Sequence, residues 1–367
     1  MNPTVSDISK ALEDIAPLWL QESYDNSGLL VGDRTMEVHS ALLCLDVTEA
    51  ILEEAKMKGC NLIIAHHPLI FGGVKRLTGD NEVQRCIIKA IQYNIAIYAC
   101  HTNLDNVLAH GVNQKIAQKL GLSDTRVLFP KENVLYKLQL FVPHDSLEVV
   151  KSAIFQAGAG FIGNYSECSF ATEGTGTFTP MEGANPAEGK VGEPYSSSEL
   201  KLEVIVPAWK KSAVEQAFNQ AHPYEEVAHE WIRIDNTSGE FGSGAIGNLP
   251  KPMTKKEFLQ YLKQSMNLKS VKFTVSADLP IAKVAVCGGS GSFLIAAAKA
   301  AGAQAYVTSD VKYHEFFDAG NSLLLCDIGH FESEKFTMQL FSEILSAKFP
   351  NFATIFAETV TNPIDYI

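Results

Sequence analysis

The pattern that most restricts this chain is a strand and helix order that occurs twice. Segments 40–46 (SALLCLD), 61–65 and 95–100 are short apolar runs of strand length, and 48–58 and 81–93 carry helical spacing, so 40–100 reads βαβαβ. The order returns at 283–287 (KVAVC), 291–301, 304–308 (QAYVT), 311–319 and 322–327 (SLLLCD), and an amphipathic helix at 5–20 precedes the first copy. An offset of 243 residues lays Cys287 on Cys44, Gln304-Ala305-Tyr306-Val307 on Asn61-Leu62-Ile63-Ile64, and Ser309-Asp310 on His66-His67. An offset of 229 lays HFESE (330–334) on HTNLD (101–105), matching His330 with His101 and Glu334 with Asp105. Strands alternating with helices predict an α/β fold with parallel strands, and the two copies read as halves of one sheet.

The middle of the chain has another texture. YKLQLFVP (136–143) and LKLEVIVP (200–207) are two related strands, each followed by a helical segment, 146–157 and 209–221. That pairing predicts a ferredoxin-like α+β unit. Residues 171–195 hold five Gly and three Pro, which suits a long ordered loop or a hairpin. The expected organisation is therefore residues 1–130 and 248–367 as two halves of one domain, with 131–247 inserted between them.

Composition narrows the function classes. Apolar residues make up 46% and charged residues 20% of 367, a globular balance without a low-complexity tract. The formal charge of −12 and the lack of any basic run longer than two lysines disfavour nucleic acid as a partner. No stretch approaches a membrane span and the first residues lack a secretory leader pattern, so the expectation is a cytoplasmic protein with no membrane partner. Seven scattered cysteines without a C-x-x-C pair read as buried thiols, so a metal site would use nitrogen and oxygen.

The chemistry collects at strand ends. In LIIAHHPLIF (62–71) two adjacent imidazoles follow a buried strand, and they read either as ligands of two ions or as packed, hydrogen-bonded histidines. His330-x-x-x-Glu334 and His101-x-x-x-Asp105 each put an imidazole and a carboxylate on one face of a helical turn. With His66 and His67 they offer four nitrogens and two carboxylates after equivalent strands, where α/β sheets bind ligands. Asp310, Lys312 and His314 follow the strand equivalent to that of His66-His67 and read either as facing the same crevice or as lying on a helix surface, with His314 the best proton-transfer residue of the three. GGSGSF (288–293) reads either as a phosphate-approaching loop or as a plain tight turn. HPYEE (222–226) reads as a turn or domain contact.

The combination of DNSGLLVG (25–32), IIAHHPLIF, HTNLDN (101–106), GTGTFTPMEGANP (174–186), HPYEE, GGSGSF, TSDVKYHE (308–315) and GHFESE (329–334) resembles the GTP cyclohydrolase 1 type 2 homologues, the NGG-interacting-factor-three-like family of dinuclear-metal proteins. The resemblance covers the whole chain. It implies a two-metal site of His66, His67, Asp105, His330 and Glu334, with His101 beside the ions to orient a ligand or contact substrate. It also implies a homohexamer of two stacked trimers around a cavity and a CutA-like or PII-like insert. The expected function is a metal-dependent hydrolase holding two divalent ions per chain, zinc first and iron or manganese as alternatives. Its substrate would be a small nucleotide-like or pterin-like molecule attacked by a metal-activated water, with His314 or His101 moving the proton. The rival reading is a non-catalytic regulatory or metal-handling protein with a PII-like signalling or assembly domain.

Overall fold

In the computed structural model, which describes residues 2–275 and 280–367, the chain divides into two units, at Pro130/Lys131 and again at Ser238/Gly239. The first stretch of the larger unit comprises α1 (Val5–Ile15), β1 (Gly28–Val31), β2 (Ser40–Cys44), α2 (Glu49–Met57), β3 (Leu62–Ala65), α3 (Glu82–Tyr93), β4 (Ala96–Ala99), α4 (Thr102–Asp105), α5 (Val112–Lys119) and β5 (Ser123–Pro130). The smaller unit supplies β6 (Leu135–Pro143), α6 (Leu147–Gln156), β7 (Ser169–Phe178), β8 (Tyr195–Pro207), α7 (Lys211–Ala221) and β9 (His229–Ile234). The chain returns through β10 (Gly242–Met253), α8 (Lys255–Ser265), β11 (Lys272–Phe273), β12 (Ile281–Ser290) and α9 (Ile295–Ala300). It continues with β13 (Ala305–Ser309), β14 (Leu324–Asp327), α10 (His330–Glu334), α11 (Thr337–Lys348) and β15 (Ala353–Phe356).

The repeat extends beyond the five elements read from sequence. In each copy three parallel strands are flanked by one antiparallel edge strand, giving the orders β1-β4-β3-β2 and β11-β14-β13-β12. Each copy opens with a helix started by a capping box, Thr4 with Asp7 for α1 and Thr254 with Glu257 for α8. Each carries a short helix after the last of its three parallel strands, α4 and α10.

The copies form two sheets, not the halves of one. β15 completes the first sheet beside β2, while β10 and β5 complete the second beside β12, so the last strand of each copy lies in the sheet of the other. Side-chain alternation explains the arrangement, because both faces of every central strand are buried. Ala41, Leu43, Leu62, Ile64, Ala96 and Tyr98 share one core with Val284, Val286, Ala305, Val307, Leu324 and Cys326 of the other sheet, filled out by α1, α5, α8 and α11. The opposite faces have separate cores. Leu42, Ile63 and Ile97 pack against α2 and α3, and Ala285, Tyr306 and Leu325 against α9.

Several expected elements are trimmed. The helix expected at 5–20 ends at Ile15, two residues before Pro17, whose ring cannot continue it. The one expected at 291–301 is α-helical only from Ile295, and 311–319 forms a 3-10 helix over Tyr313–Ala319. Residues 242–247, assigned from sequence to the insert, belong to β10, where Gly242 and Ser243 pair with β5 and Ala245, Ile246 and Gly247 pair with β12.

The smaller unit is a four-stranded antiparallel sheet in the order β7-β8-β6-β9, which with α6 and α7 gives the split βαβ connectivity βαββαβ. The two related strands are neighbours, Leu138 facing Val204 and Leu140 facing Leu202. Part of the Gly-rich stretch is a strand, β7, paired with β8 through Phe178 and Tyr195. Gly176 has no room for a side chain there because Glu199 occupies the space a Cβ would need.

Candidate metal centre

The larger unit gathers the ends of β3, β4 and β14 at one place. His66 follows β3 and is fully buried, His67 is partly buried, and His101 caps α4 just after β4. His330 and Glu334 begin and end α10, one helical turn apart. Sequence spacing placed these residues correctly on their elements.

Every imidazole of the cluster has its Nδ1 fixed on the outer side. His66 Nδ1 lies 2.9 Å from the carbonyl oxygen of Cys100, and His67 Nδ1 lies 2.8 Å from Asp46 Oδ1. His330 Nδ1 lies 2.6 Å from Asp310 Oδ2, and His101 Nδ1 lies 2.8 Å from Asp25 Oδ1. Such outer partners fix the tautomer and raise the basicity of the inner nitrogen. Asp25 is itself held by the Thr102 hydroxyl and by the Thr102 amide at 3.0 Å.

The inner atoms converge on Glu334. Its Oε2 is 3.0 Å from both His67 Nε2 and His330 Nε2, while its Oε1 is 3.5 Å from His66 Nε2. His66 Nε2 is also 3.7 Å from Asp105 Oδ1, and the nitrogens of His67 and His330 are 3.2 Å apart. Three groups have donor atoms mutually within 4.8 Å: His66, Asp105 and Glu334; His67, His330 and Glu334; and His66, His67 and His101. His66 Nε2, Asp105 Oδ1 and Glu334 Oε2 are buried and make no well-aligned hydrogen bond, although they lie within ion-pair distance of neighbouring groups of the cluster. Buried polar atoms usually make aligned hydrogen bonds, so imidazole nitrogens and carboxylate oxygens crowded together without them fit cations bound among them.

The electrostatics agree. Burial, then the Glu334 carboxylate, pushes the Asp105 pKa up to about 7. Burial opposes ionisation of Glu334 too, but His66, His330 and His67 hold it well below the usual carboxylate range. Burial would depress both histidines, yet hydrogen bonds to Asp46 and Glu334 push His67 up to about 10, and Glu334 with Asp310 pushes His330 up to about 9. A site so dense in carboxylates attracts positive charge, and without metal the histidines supply it as protons.

Glycines make room for the Glu334 carboxylate. A Cβ on Gly289, whose φ is +62°, would collide with Glu334 Oε1, and one on Gly288 would come within 2.8 Å of Val112. Their amides are occupied, Gly288 N donating to Asn113 Oδ1 and Gly289 N to Ser333 Oγ, both at 3.0 Å. The GGSGSF turn therefore seats Glu334, and its first two amides are not free to cradle a phosphate.

The second copy's counterpart of the histidine pair has a supporting part. Asp310 orients His330, and Ser309 Oγ donates to the Gly289 carbonyl at 2.5 Å. Lys312 and His314 are exposed; the His314 ring packs against Tyr313 and Phe317, and it is in none of the three donor groups. The structure does not bring His314 into the cluster, because the 3-10 helix carries it along the surface. His101, by contrast, is anchored like His67 and His330, with its ring centroid 5.3 Å from those of both His66 and His67. His222 of HPYEE is fully paired within the smaller unit, its ring nitrogens on Phe141 O and Tyr224 N, as a turn reading expects.

Sequence reasoning missed Asp25, Asp46 and Asn113. Asp46 follows the end of β2, a position that could have been flagged with the same strand-end rule used for the histidines. Asn113 ties both copies to the site, its amide donating to Asp105 O at 2.9 Å while its oxygen holds Gly288.

Fold and cluster together define an α/β protein with an imidazole and carboxylate site able to hold metal. The family model for Duf34/NIF3 (NGG1p interacting factor 3) matches residues 3–363, and the chain belongs to that family. A Bacillus subtilis protein named GTP cyclohydrolase 1 type 2 homolog is 39% identical over 98% of both chains. One of the same name from Halalkalibacterium halodurans is 41% identical over 88% of this chain and 87% of its own. The crystal structure of a Bacillus cereus protein related to NIF3 matches with a TM-score of 0.83 and 38% identity over the full length of both chains.

Proposed function

We propose that this protein is a hydrolase dependent on two divalent metal ions, held by His66, His67, Asp105, His330 and Glu334. The observation that carries the reading is the convergence of the buried inner atoms His66 Nε2, Asp105 Oδ1 and Glu334 Oε2, which make no well-aligned hydrogen bond, inside a ring of outwardly anchored imidazoles. The two oxygens of Glu334 address different histidines, the arrangement of a bridging carboxylate. When bound, such ions supply Lewis acidity toward a substrate oxygen and lower the pKa of water toward neutrality. Nitrogen and carboxylate donors without thiolate suit zinc, with iron or manganese as alternatives.

The chain's own residues do the remainder. Asp46 and Asp310 fix the rings of His67 and His330, Gly288 and Gly289 let Glu334 approach, and Asn113 holds the Asp105 backbone. His101, with Nδ1 on Asp25, is the residue best placed to orient substrate or accept a proton. The shared name of the relatives points to a nucleotide or pterin-like small molecule. A homohexamer of two trimers with the insert in a CutA-like or PII-like role belongs to the same proposal. So does residence in the cytoplasm, which free thiols at all seven cysteines favour.

Two measurements test it. Elemental analysis of protein purified without added metal should find about two divalent ions per chain, as a two-metal site requires. A hydrolysis screen over nucleotides and pterin-like compounds should show turnover that Glu334→Ala abolishes. Far less than two ions, or activity untouched by that substitution, rejects the reading.

A further inference from the structure

The segment following β15 crosses from one copy of the repeat to the other through hydrogen bonds that no ligand assignment includes. It leaves the first sheet where Ala357 N donates to Leu43 O at 3.0 Å. The next two amides, Glu358 N and Thr359 N, donate to the two oxygens of Glu54 at 2.7 and 2.9 Å. Glu54 is a buried carboxylate of α2, further bound by Lys58 at 2.8 Å. Two residues on, the Thr361 hydroxyl donates to Asp46 Oδ2 at 2.8 Å, and Asp46 Oδ1 holds His67 Nδ1. Asn362 Nδ2 then donates to Glu332 Oε1 at 3.1 Å, inside the α10 helix that carries His330 and Glu334.

We infer that residues 357–362 are a strap that sets the position of His67 in the metal centre through the chain Thr361, Asp46, His67, making Thr361 a positioning residue for metal binding. The inference rests on the metal reading proposed above. An aspartate with only one oxygen engaged can swing about its side chain and take the imidazole with it, whereas a donor on the second oxygen fixes its plane. Glu54 explains why a surface segment can do this: a buried carboxylate accepting consecutive amides pins the backbone three residues before the hydroxyl acts. Asn362 pins it on the other side, so Thr361 is held between two anchors that belong to different copies of the repeat.

The test is metal titration of the intact chain stripped of metal, using Zn²⁺ for affinity and Co²⁺ for its visible absorption. Thr361→Val keeps shape and removes the donor; affinity should fall about threefold to tenfold, less than the roughly 10- to 100-fold typical of removing a direct outer partner such as Asp46. The Co²⁺ band should shift, and Thr361→Ser should restore both. The metal-free variants should unfold at the temperature of the parent, the difference appearing only on loading. Unchanged affinity and spectrum in Thr361→Val overturn the inference, as does a loss that Thr361→Ser fails to restore or one matched by destabilisation of the metal-free form. If the parent itself binds no metal, the proposed function fails instead.

Discussion

At the residue scale, protons and metal compete for the same atoms. Asp105, His67 and His330 have their pKa values raised to about 7, 10 and 9, so near neutrality the metal-free centre holds protons that a cation must displace. Metal affinity should therefore rise steeply with pH between about 6 and 9, with proton release measurable in weakly buffered solution. The stability of the metal-free protein runs the other way. These three groups bind more protons folded than unfolded, so their contribution is full at low pH and is lost as pH climbs, between about 4 and 7 for Asp105 and between about 6.5 and 10 for the two histidines. Thermal unfolding of the stripped protein across that range checks the sign. Gly289 makes a second prediction: its φ of +62° and its contact with Glu334 mean that Gly289→Ala should cost about 1–3 kcal/mol and empty the site. Chemical denaturation with a parallel metal assay separates the two losses. The residues that gather in the cluster were legible from spacing, since a histidine and a carboxylate four apart share a helix face, while the choice of five of them as ligands came from the family resemblance. Asp25 and Asp46 were not, because a single aspartate in a loop reads like any solvated one until the imidazole it serves is known.

At the element scale, short helices after β4 and β14 do the positioning, and they are too short to stand by propensity alone. Buried side-chain amides hold the first of them. Asn103 is fully buried, its Nδ2 donating to the Ala16 carbonyl at 2.6 Å and its Oδ1 accepting from the His101 amide at 2.9 Å. Asn103→Leu removes the donor to the Ala16 carbonyl and leaves the His101 amide only its 3.3 Å bond to Ser27 Oγ, and should destabilise the protein by about 1–3 kcal/mol. Urea unfolding of the metal-free form measures it. The strands of the repeat were readable because burial on both faces makes each an unbroken apolar run. Their division into two sheets was not, since an apolar run states that both faces are covered and leaves open what covers them.

At the scale of the whole molecule, the smaller unit has a core of its own, Leu138, Leu140, Val142, Val150, Ile154, Leu202, Val206, Val214 and Phe218. Residues 131–238 should fold alone, giving a cooperative thermal transition as an excised fragment. In the intact chain, saturating metal at about 100 times its dissociation constant should stabilise the larger unit by roughly 2.7 kcal/mol per bound ion and leave the transition of the smaller unit in place. Calorimetry with and without chelator distinguishes the two.

The point of insertion also bears on how such a chain could have grown. Pro130, the last residue of β5, pairs directly with Gly242, the first of β10. The two strands are thus the arms of one hairpin, and everything from Lys131 to Phe241 occupies the place of its turn. Closure cost rises only with the logarithm of loop length, and a turn that folds by itself recovers much of that cost. A hairpin tip is accordingly a doorway through which a lineage can gain or shed a domain while the ladder behind it keeps its register.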